Sequence, residues 1–270
     1  MKNTYLATGF QDVDKSDANE AYIACLSLLD SLPFYQEYKQ QTYELLGLKN
    51  GDAVLDAGCG LGYDLYRMAE KVFPDGQAIG VDASSSMLHE AKKDPRYKSL
   101  HVKLIQADLR QLPFSDLNFS HARIDRVLQH IKNPQQVVQE LSRVLQNNGI
   151  LLAYDNDWHS FSIQSPNETL HKKIENLWIH SFANPTIGTD LVKLFQDVQL
   201  QEITSYPLTS ILREFEVADK VYNIQESLSK LVTQGELTKE EKEQWLTEVR
   251  TSSSFEVKLE TFIVKGKKVL

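Results

Sequence analysis

Apolar positions along this 270-residue chain recur at two different spacings, one helical and one of short continuous runs, and the two alternate. From Asn19 to Leu32, Ala21, Tyr22, Cys25, Leu28 and Leu29 keep helical spacing until Pro33 interrupts it. A second helix is predicted over Phe34 to Leu46, closed by turn chemistry at Gly47 and Asn50-Gly51. Ala53 to Ala57 is then a short apolar run of the kind a buried parallel strand shows. The sequence repeats this alternation with a helix over Leu65 to Val72, a turn at Pro74-Asp75-Gly76, a strand over Ala78 to Val81, and a helix through Met87, Leu88 and Ala91 that Ser84 caps. Strands are predicted at Val102 to Gln106, Phe119 to Ile124 and Ile150 to Tyr154, with a helix over Pro134 to Leu145.

Strands alternating with helices build a parallel sheet with right-handed crossovers. Past Asp157 the pattern loosens. Ser165, Pro166 and Glu168 make a capping-box start for a helix carrying Leu170, Ile174, Leu177 and Trp178, and Thr189 is expected to cap another through Leu191, Leu194 and Phe195. A strand near Leu200 to Tyr206, helical sequence over Glu214 to Gln234, a capping box at Thr238 and Glu241, and a last strand over Phe255 to Val264 at or near the sheet edge complete the expectation.

Composition narrows the function classes. With 41% hydrophobic and 24% charged residues the chain is expected to fold through most of its length. The net charge of −8 and pI near 5.4 leave only short basic clusters, Lys92-Lys93 and Lys265 to Lys268, where a phosphate-tracking groove needs a basic stripe, so nucleic acid is not the expected partner. Cys25 and Cys59 have neither metal-ligand spacing nor the density of a disulfide framework, which fits a reducing cytoplasm and no metal. Met1 to Asp17 lacks the apolar stretch of a secretory signal, and no apolar run is long enough for a membrane span.

The chemistry concentrates at strand ends. Val54-Leu55-Asp56-Ala57-Gly58-Cys59-Gly60-Leu61-Gly62 leaves a strand, turns on glycines and enters a helix, placing backbone N–H groups and a helix N-terminus beside any ligand. Asp56 supplies an acceptor for a cationic group. About 20 residues beyond the loop, Asp82 ends the next strand, where a carboxylate accepts both hydroxyls of a ribose. Asp108 follows the third strand. Three acids at successive strand ends face the same carboxyl edge of the sheet.

With these motifs the chain resembles the class I S-adenosylmethionine-dependent methyltransferases, and within them it is similar to the small-molecule group of ubiquinone and menaquinone methyltransferases. Asp56 to Gly62 resembles the first motif of that family, Val81-Asp82-Ala83-Ser84 the second, Ala107-Asp108-Leu109 the third, and Arg126-Val127-Leu128-Gln129-His130 the segment after the fourth strand. Asn147-Asn148-Gly149 stands where the family often has Pro-Gly-Gly, and still makes a turn. The resemblance implies S-adenosylmethionine as cofactor and S-adenosylhomocysteine as product. It implies that Asp56 and the loop residues Gly58, Cys59, Gly60 and Gly62 hold the methionyl moiety, with Asp64 in reach of its amino group. Asp82 would hold the ribose, Asp108 and Leu109 the adenine, Ala83 and Met87 the slot between them, and Arg123 and Ile124 would lie beside the methionine end. Ile124-Asp125-Arg126-Val127 has nothing of the Pro-Pro-aromatic motif of enzymes that methylate amino groups of nucleic acids.

Methyl transfer is an in-line displacement at an activated carbon, so placing a small-molecule acceptor close and aligned supplies most of the effect. A hydroxyl acceptor gains from a general base, and His130, Asp157 and His159 are the candidates near the carboxyl edge. Tyr22, Phe34, Tyr35, Trp158 and Trp178 are candidate walls of an apolar acceptor pocket. Two other readings stay open: an NAD-dependent oxidoreductase on a similar fold, although the third glycine departs from that fingerprint, and a cofactor-binding partner protein without turnover. The expected architecture is α/β, a doubly wound, mostly parallel, Rossmann-like sheet of seven strands. Residues 1–46 form a helical lid and 47–270 the catalytic domain, with a substrate-side insertion at about 158–188 and a helical segment at about 214–250.

Overall fold

A computed structural model describes residues 10, 13–15, 19–100, 102–165 and 168–269. Short buried runs become the centre of one sheet. β1 (Ala53–Ala57) pairs in parallel with β2 (Gln77–Asp82) on one side and β4 (Phe119–Asp125) on the other. β3 (Lys103–Gln106) extends the sheet beyond β2, and β5 (Leu145–Gln164) beyond β4, both in parallel. β7 (Glu256–Lys267) then runs antiparallel to β5, and β6 (Gln201–Leu212) antiparallel to β7. The order β3-β2-β1-β4-β5-β7-β6 reverses direction at β1 and β4, which opens a crevice at their carboxyl ends.

Helices cover both faces, as a parallel sheet requires. They are α1 (Asn19–Ser31), α2 (Pro33–Leu46), α3 (Tyr63–Val72), α4 (Ser85–Ala91), the single turn α5 (Arg96–Ser99), α6 (Pro134–Val144), α7 (Glu168–Ile179), α8 (Ile187–Asp197), α9 (Phe215–Tyr222), α10 (Ile224–Thr233) and α11 (Lys239–Thr251). Strand periodicity of two splits the core. Val54, Ala78, Leu152, Tyr154 and Ile263 pack with α2, α3 and the later helices, whereas Leu55, Ile79, Ala122, Ile124 and Ala153 pack with α6 and α8. The parity of β4 therefore sends Arg123 and Asp125 to one face and Ile124 to the other.

The local signals hold where their chemistry is local. Ser84 Oγ accepts from the Met87 amide, and Thr238 and Glu241 make both bonds of a capping box. Thr189 is not a cap: α8 starts at Ile187 and the Thr189 hydroxyl donates to the Thr186 carbonyl. The capping box expected from Ser165 to Glu168 includes Pro166, which lies outside the described residues. One strand differs from expectation because pairing, not apolar content, sets its length. β5 runs to Gln164 along β7, with a register shift between Asp157 and Ser162. β7 lies beside the edge strand, near the sheet edge as expected, with Val257, Leu259, Thr261 and Ile263 buried, and β6, which carries Pro207, is the edge itself.

Candidate active site

A cavity of about 720 Å³ opens at the carboxyl ends of β1, β2 and β4. The β1 loop has φ of +77° at Gly58 and +49° at Gly60, and a Cβ on Gly58 would stand 2.3 Å from Val127 Cγ2, so only glycine fits there. Gly62 does not line the cavity; it starts α3 in the left-handed region and its amide donates to the Cys59 carbonyl. The Gly60 amide donates to Asp82 Oδ2 at 2.8 Å and the Ser84 amide to Asp82 Oδ1 at 2.9 Å. Each oxygen keeps further acceptor capacity on the cavity, the pair of acceptors that two vicinal hydroxyls need. Burial pushes the Asp82 carboxyl above its ordinary range while these amides pull it back. Ala83 and Met87 line the adjoining wall.

Asp108 and Leu109 also line the cavity. The Asp108 carboxylate is half exposed and clasped by Arg110, with Nη2 at 2.6 Å, which holds it below the usual carboxylate range. Cys59 lines the cavity but is buried, and burial followed by Asp82 pushes its thiol well above the ordinary value, so it is a neutral packing residue and not a nucleophile.

Beneath the loop lies a buried ionic cluster. Arg123 sits opposite Asp56 in the β1–β4 ladder and is fully buried. Its Nη1 lies 3.2 Å from Asp64 and 3.9 Å from Asp56, its Nη2 pairs with Asp125, and its Nε donates to Thr42 Oγ1 at 3.2 Å. Asp64 also receives Lys39 Nζ at 3.0 Å and the Tyr43 hydroxyl. Against the cost of burial, Arg123 and then Lys39 hold Asp64 well below the usual range. Asp56 goes the other way, pushed up to about 7 by burial, with Arg123 opposing and Asp64 and Asp125 adding repulsion. A cationic group entering beside Asp56 would favour its ionised form.

The other end of the cavity is aromatic. Trp158 stacks on Phe182 with ring centroids 4.0 Å apart, and Trp178 meets Tyr222 edge to face at 5.8 Å; all four line the cavity together with Tyr35. Tyr22 and Phe34 do not. Tyr22 is fully buried behind Phe10, and Phe34 packs against Tyr35 and Tyr38. Asp157 and His159 lie off the cavity as well: with Trp158 turned inward, its neighbours turn out, His159 is exposed, and Asp157 accepts from the His159 amide.

His130 lines the cavity, but its hydrogen bonds contradict the role of general base. Gln129 Oε1 accepts from Trp158 Nε1 at 2.7 Å and Asn156 Nδ2 at 2.9 Å. Because indole nitrogen only donates, the amide orientation is fixed, and Gln129 Nε2 donates to the Arg126 carbonyl and to His130 Nε2 at 3.1 Å. His130 is thus the neutral Nδ1–H tautomer with its lone pair engaged, and Nδ1 has no partner among the described residues. Burial and then the Arg126 charge lower its pKa to about 3.

Sequence reasoning missed Asp125 and Arg126 as cavity residues, with Gln129, Asn156, Phe182 and Tyr222. Phe182, one turn beyond Trp178, carried a readable signal; Tyr222 comes from α9, which only the tertiary fold brings here. Arg126 holds φ at +55°, a conformation costing on the order of 1–3 kcal/mol for such a residue, with its amide donating to the Tyr154 carbonyl at 2.8 Å.

Residues 48–243 match the methyltransferase domain family, and the chain belongs to it. It is a methyltransferase on the class I, Rossmann-like fold, which selects methyl transfer over the NAD-dependent reading. The chain is 32% identical over 235 residues, 86% of its length and 68% of the relative's, to an uncharacterized 37.1 kDa protein in transposon TN4556 of Streptomyces fradiae. The likeness to quinone methyltransferases read from the motifs holds: 2-phytyl-1,4-naphtoquinone methyltransferase of Trichormus variabilis is 30% identical over 196 residues, 67% of this chain and 86% of that protein. The fold matches phosphoethanolamine N-methyltransferase 2 of Haemonchus contortus, solved with S-adenosyl-L-methionine, at a TM-score of 0.64 and 14% identity, covering 97% of this chain and 60% of that one.

Proposed function

We propose that the protein moves the methyl group of S-adenosylmethionine to a small organic acceptor held between the aromatic walls. The observation that carries this reading is one cavity with two differently built ends: Asp82, fixed by the Gly60 and Ser84 amides, at one, and Trp158, Trp178, Phe182 and Tyr222 at the other. When bound, the cofactor supplies an electrophilic methyl carbon with a neutral thioether as leaving group. Asp82 holds the ribose hydroxyls, Ala83, Met87, Asp108 and Leu109 bound the adenine slot, and Asp56 faces the amino group. The aromatic walls exclude water and align the acceptor, so positioning carries the rate enhancement. Among the described residues His130 is the histidine that lines the cavity, and with its Nε2 lone pair engaged by Gln129 this reading gives it no proton transfer.

The lid at residues 1–46 and the acceptor-side insertion at about 158–188 belong to the same reading, supported by Phe10, Val13 and Tyr35 on one side of the cavity and Trp158, Trp178 and Phe182 on the other. Among the described residues no helix is long and apolar enough to cross a membrane. A cytoplasmic location is supported by Cys25 and Cys59, both buried and free.

Calorimetric titration with S-adenosylmethionine and S-adenosylhomocysteine, with NAD as control, tests the reading. Micromolar binding of the first two is expected, weakened at least tenfold (about 1.4 kcal/mol) in Asp82→Ala. Binding of NAD alone, or of nothing, would sink it. Binding with no turnover across an acceptor screen would point to a partner protein that has kept the cofactor site and lost catalysis.

A further inference from the structure

Five cations line the cavity, and three of them pair closely with acids. Arg123 pairs with Asp64 and Asp125, Lys39 with Asp30 and Asp64, and Arg110 with Asp108. Lys132 is exposed to solvent at the rim. Arg126 differs. Its Nε reaches Asp125 Oδ1 at 3.3 Å, an acid already bound by Arg123 and by the Tyr38 hydroxyl, while Nη1 and Nη2 have no partner among the described residues. The side chain is 17% exposed and lines the cavity, and its guanidinium lies 5.2 Å from the Tyr35 ring centroid. Four N–H donors in one plane, largely desolvated and facing an apolar chamber, form the fork that a carboxylate matches with two parallel hydrogen bonds.

We propose that Arg126 is an anion-binding residue of the acceptor site and that the methyl acceptor carries a carboxylate on an apolar, planar body, the carboxylate held by Nη1 and Nη2 and the body lying among Trp158, Trp178, Phe182 and Tyr222. The proposal rests on the methyltransferase reading and names the acceptor class for the same cavity. The carboxylate is an anchor; no bond to it forms or breaks. The cofactor's own carboxylate is the competing occupant, and the placement of charge argues against it. Arg123 stands at the methionyl end, opposite Asp56 in the β1–β4 ladder with Nη1 3.9 Å from it, whereas the Arg126 guanidinium lies over Tyr35 at the aromatic end.

The test uses the full chain saturated with S-adenosylhomocysteine and two probes of one shape, 2-naphthoate and 2-naphthamide, titrated by calorimetry and by quenching of tryptophan fluorescence. The proposal expects naphthoate to bind at least tenfold tighter than naphthamide, that preference to vanish in Arg126→Gln and to shrink in Arg126→Lys, which keeps charge but not the fork, and S-adenosylhomocysteine affinity to stay within about twofold of the parent in both. Equal affinity for the probes, or binding of neither, overturns the anion site alone. A tenfold loss of S-adenosylhomocysteine affinity in Arg126→Gln assigns the guanidinium to the cofactor and also overturns it. Failure of the unaltered protein to bind S-adenosylhomocysteine removes the methyltransferase reading beneath it. Should Arg126→Gln not fold, the probe comparison on the unaltered protein and Arg126→Lys decides.

Discussion

His130 and Gln129 show how little of a side chain's chemistry follows from its place in a motif. The motif puts a histidine at the mouth of the site, yet the indole N–H of Trp158, 28 residues away in the sequence (158 − 130), fixes the Gln129 amide and through it the imidazole tautomer. The folded-state pKa of about 3 lies below the ordinary 6.5, so His130 is neutral in both folded and unfolded chains above pH 6.5. As pH falls from 6.5 toward 3 the unfolded chain takes up a proton that the folded one refuses, and stability is lost through that window at no more than about 1.4 kcal/mol per pH unit. Between about pH 4 and 6.5 the melting temperature of His130→Gln should fall less steeply than that of the parent. Nitrogen-detected NMR should find the Nδ1–H tautomer from about pH 5 to 8; an imidazolium forming in that range would contradict the network.

Among the elements, α4 is the most telling. Ser84 caps it from within, and Asp14, from the turn Val13–Lys15, accepts from the Ser85 and Ser86 amides and from the hydroxyls of Ser84, Ser85 and Ser86. Although burial opposes it, the bonds from Ser84 and Ser86 hold the Asp14 carboxyl well below its usual range. This contact sets Val13 into the cavity wall beside Met87. Asp14→Ala should weaken S-adenosylhomocysteine binding roughly tenfold by calorimetry while lowering the melting temperature by only a few degrees, because the bonds from Ser85 and Ser86 are solvent-exposed, so that water replaces them, and Ser84 still caps the helix. Unchanged affinity would show that the turn is only a structural tie. The Ser84 cap was legible because it involves neighbours three residues apart; the Asp14 tie, spanning 70 residues, was not.

At the scale of the molecule, α9 reaches across to α1 and brings Tyr222 to the cavity, and β7 inserts between β5 and β6 to seat the far half of the sheet. The cofactor cavity is therefore walled by segments from both ends of the chain, and ligand binding should stabilise the whole fold. S-adenosylhomocysteine at 100 times its dissociation constant adds about 2.7 kcal/mol, a rise in melting temperature of roughly 5 °C or more for a chain of this size, absent at the same concentration in Asp82→Ala if that variant has lost binding.

The sequence alone determined the alternating α/β order, the glycine loop and the acids at the ends of β1, β2 and β3. Those features are local: left-handed φ selects glycine, and a strand's last residue must face the carboxyl edge. The tertiary structure decided which face Ile124 takes, that Asp157 and His159 turn away, that Tyr22 and Phe34 pack behind the wall, and that Arg126 lines the cavity with Nη1 and Nη2 unpaired among the described residues. Those outcomes depend on strand parity, on the register shift in β5 and on partners tens of residues away, which one-dimensional spacing does not encode.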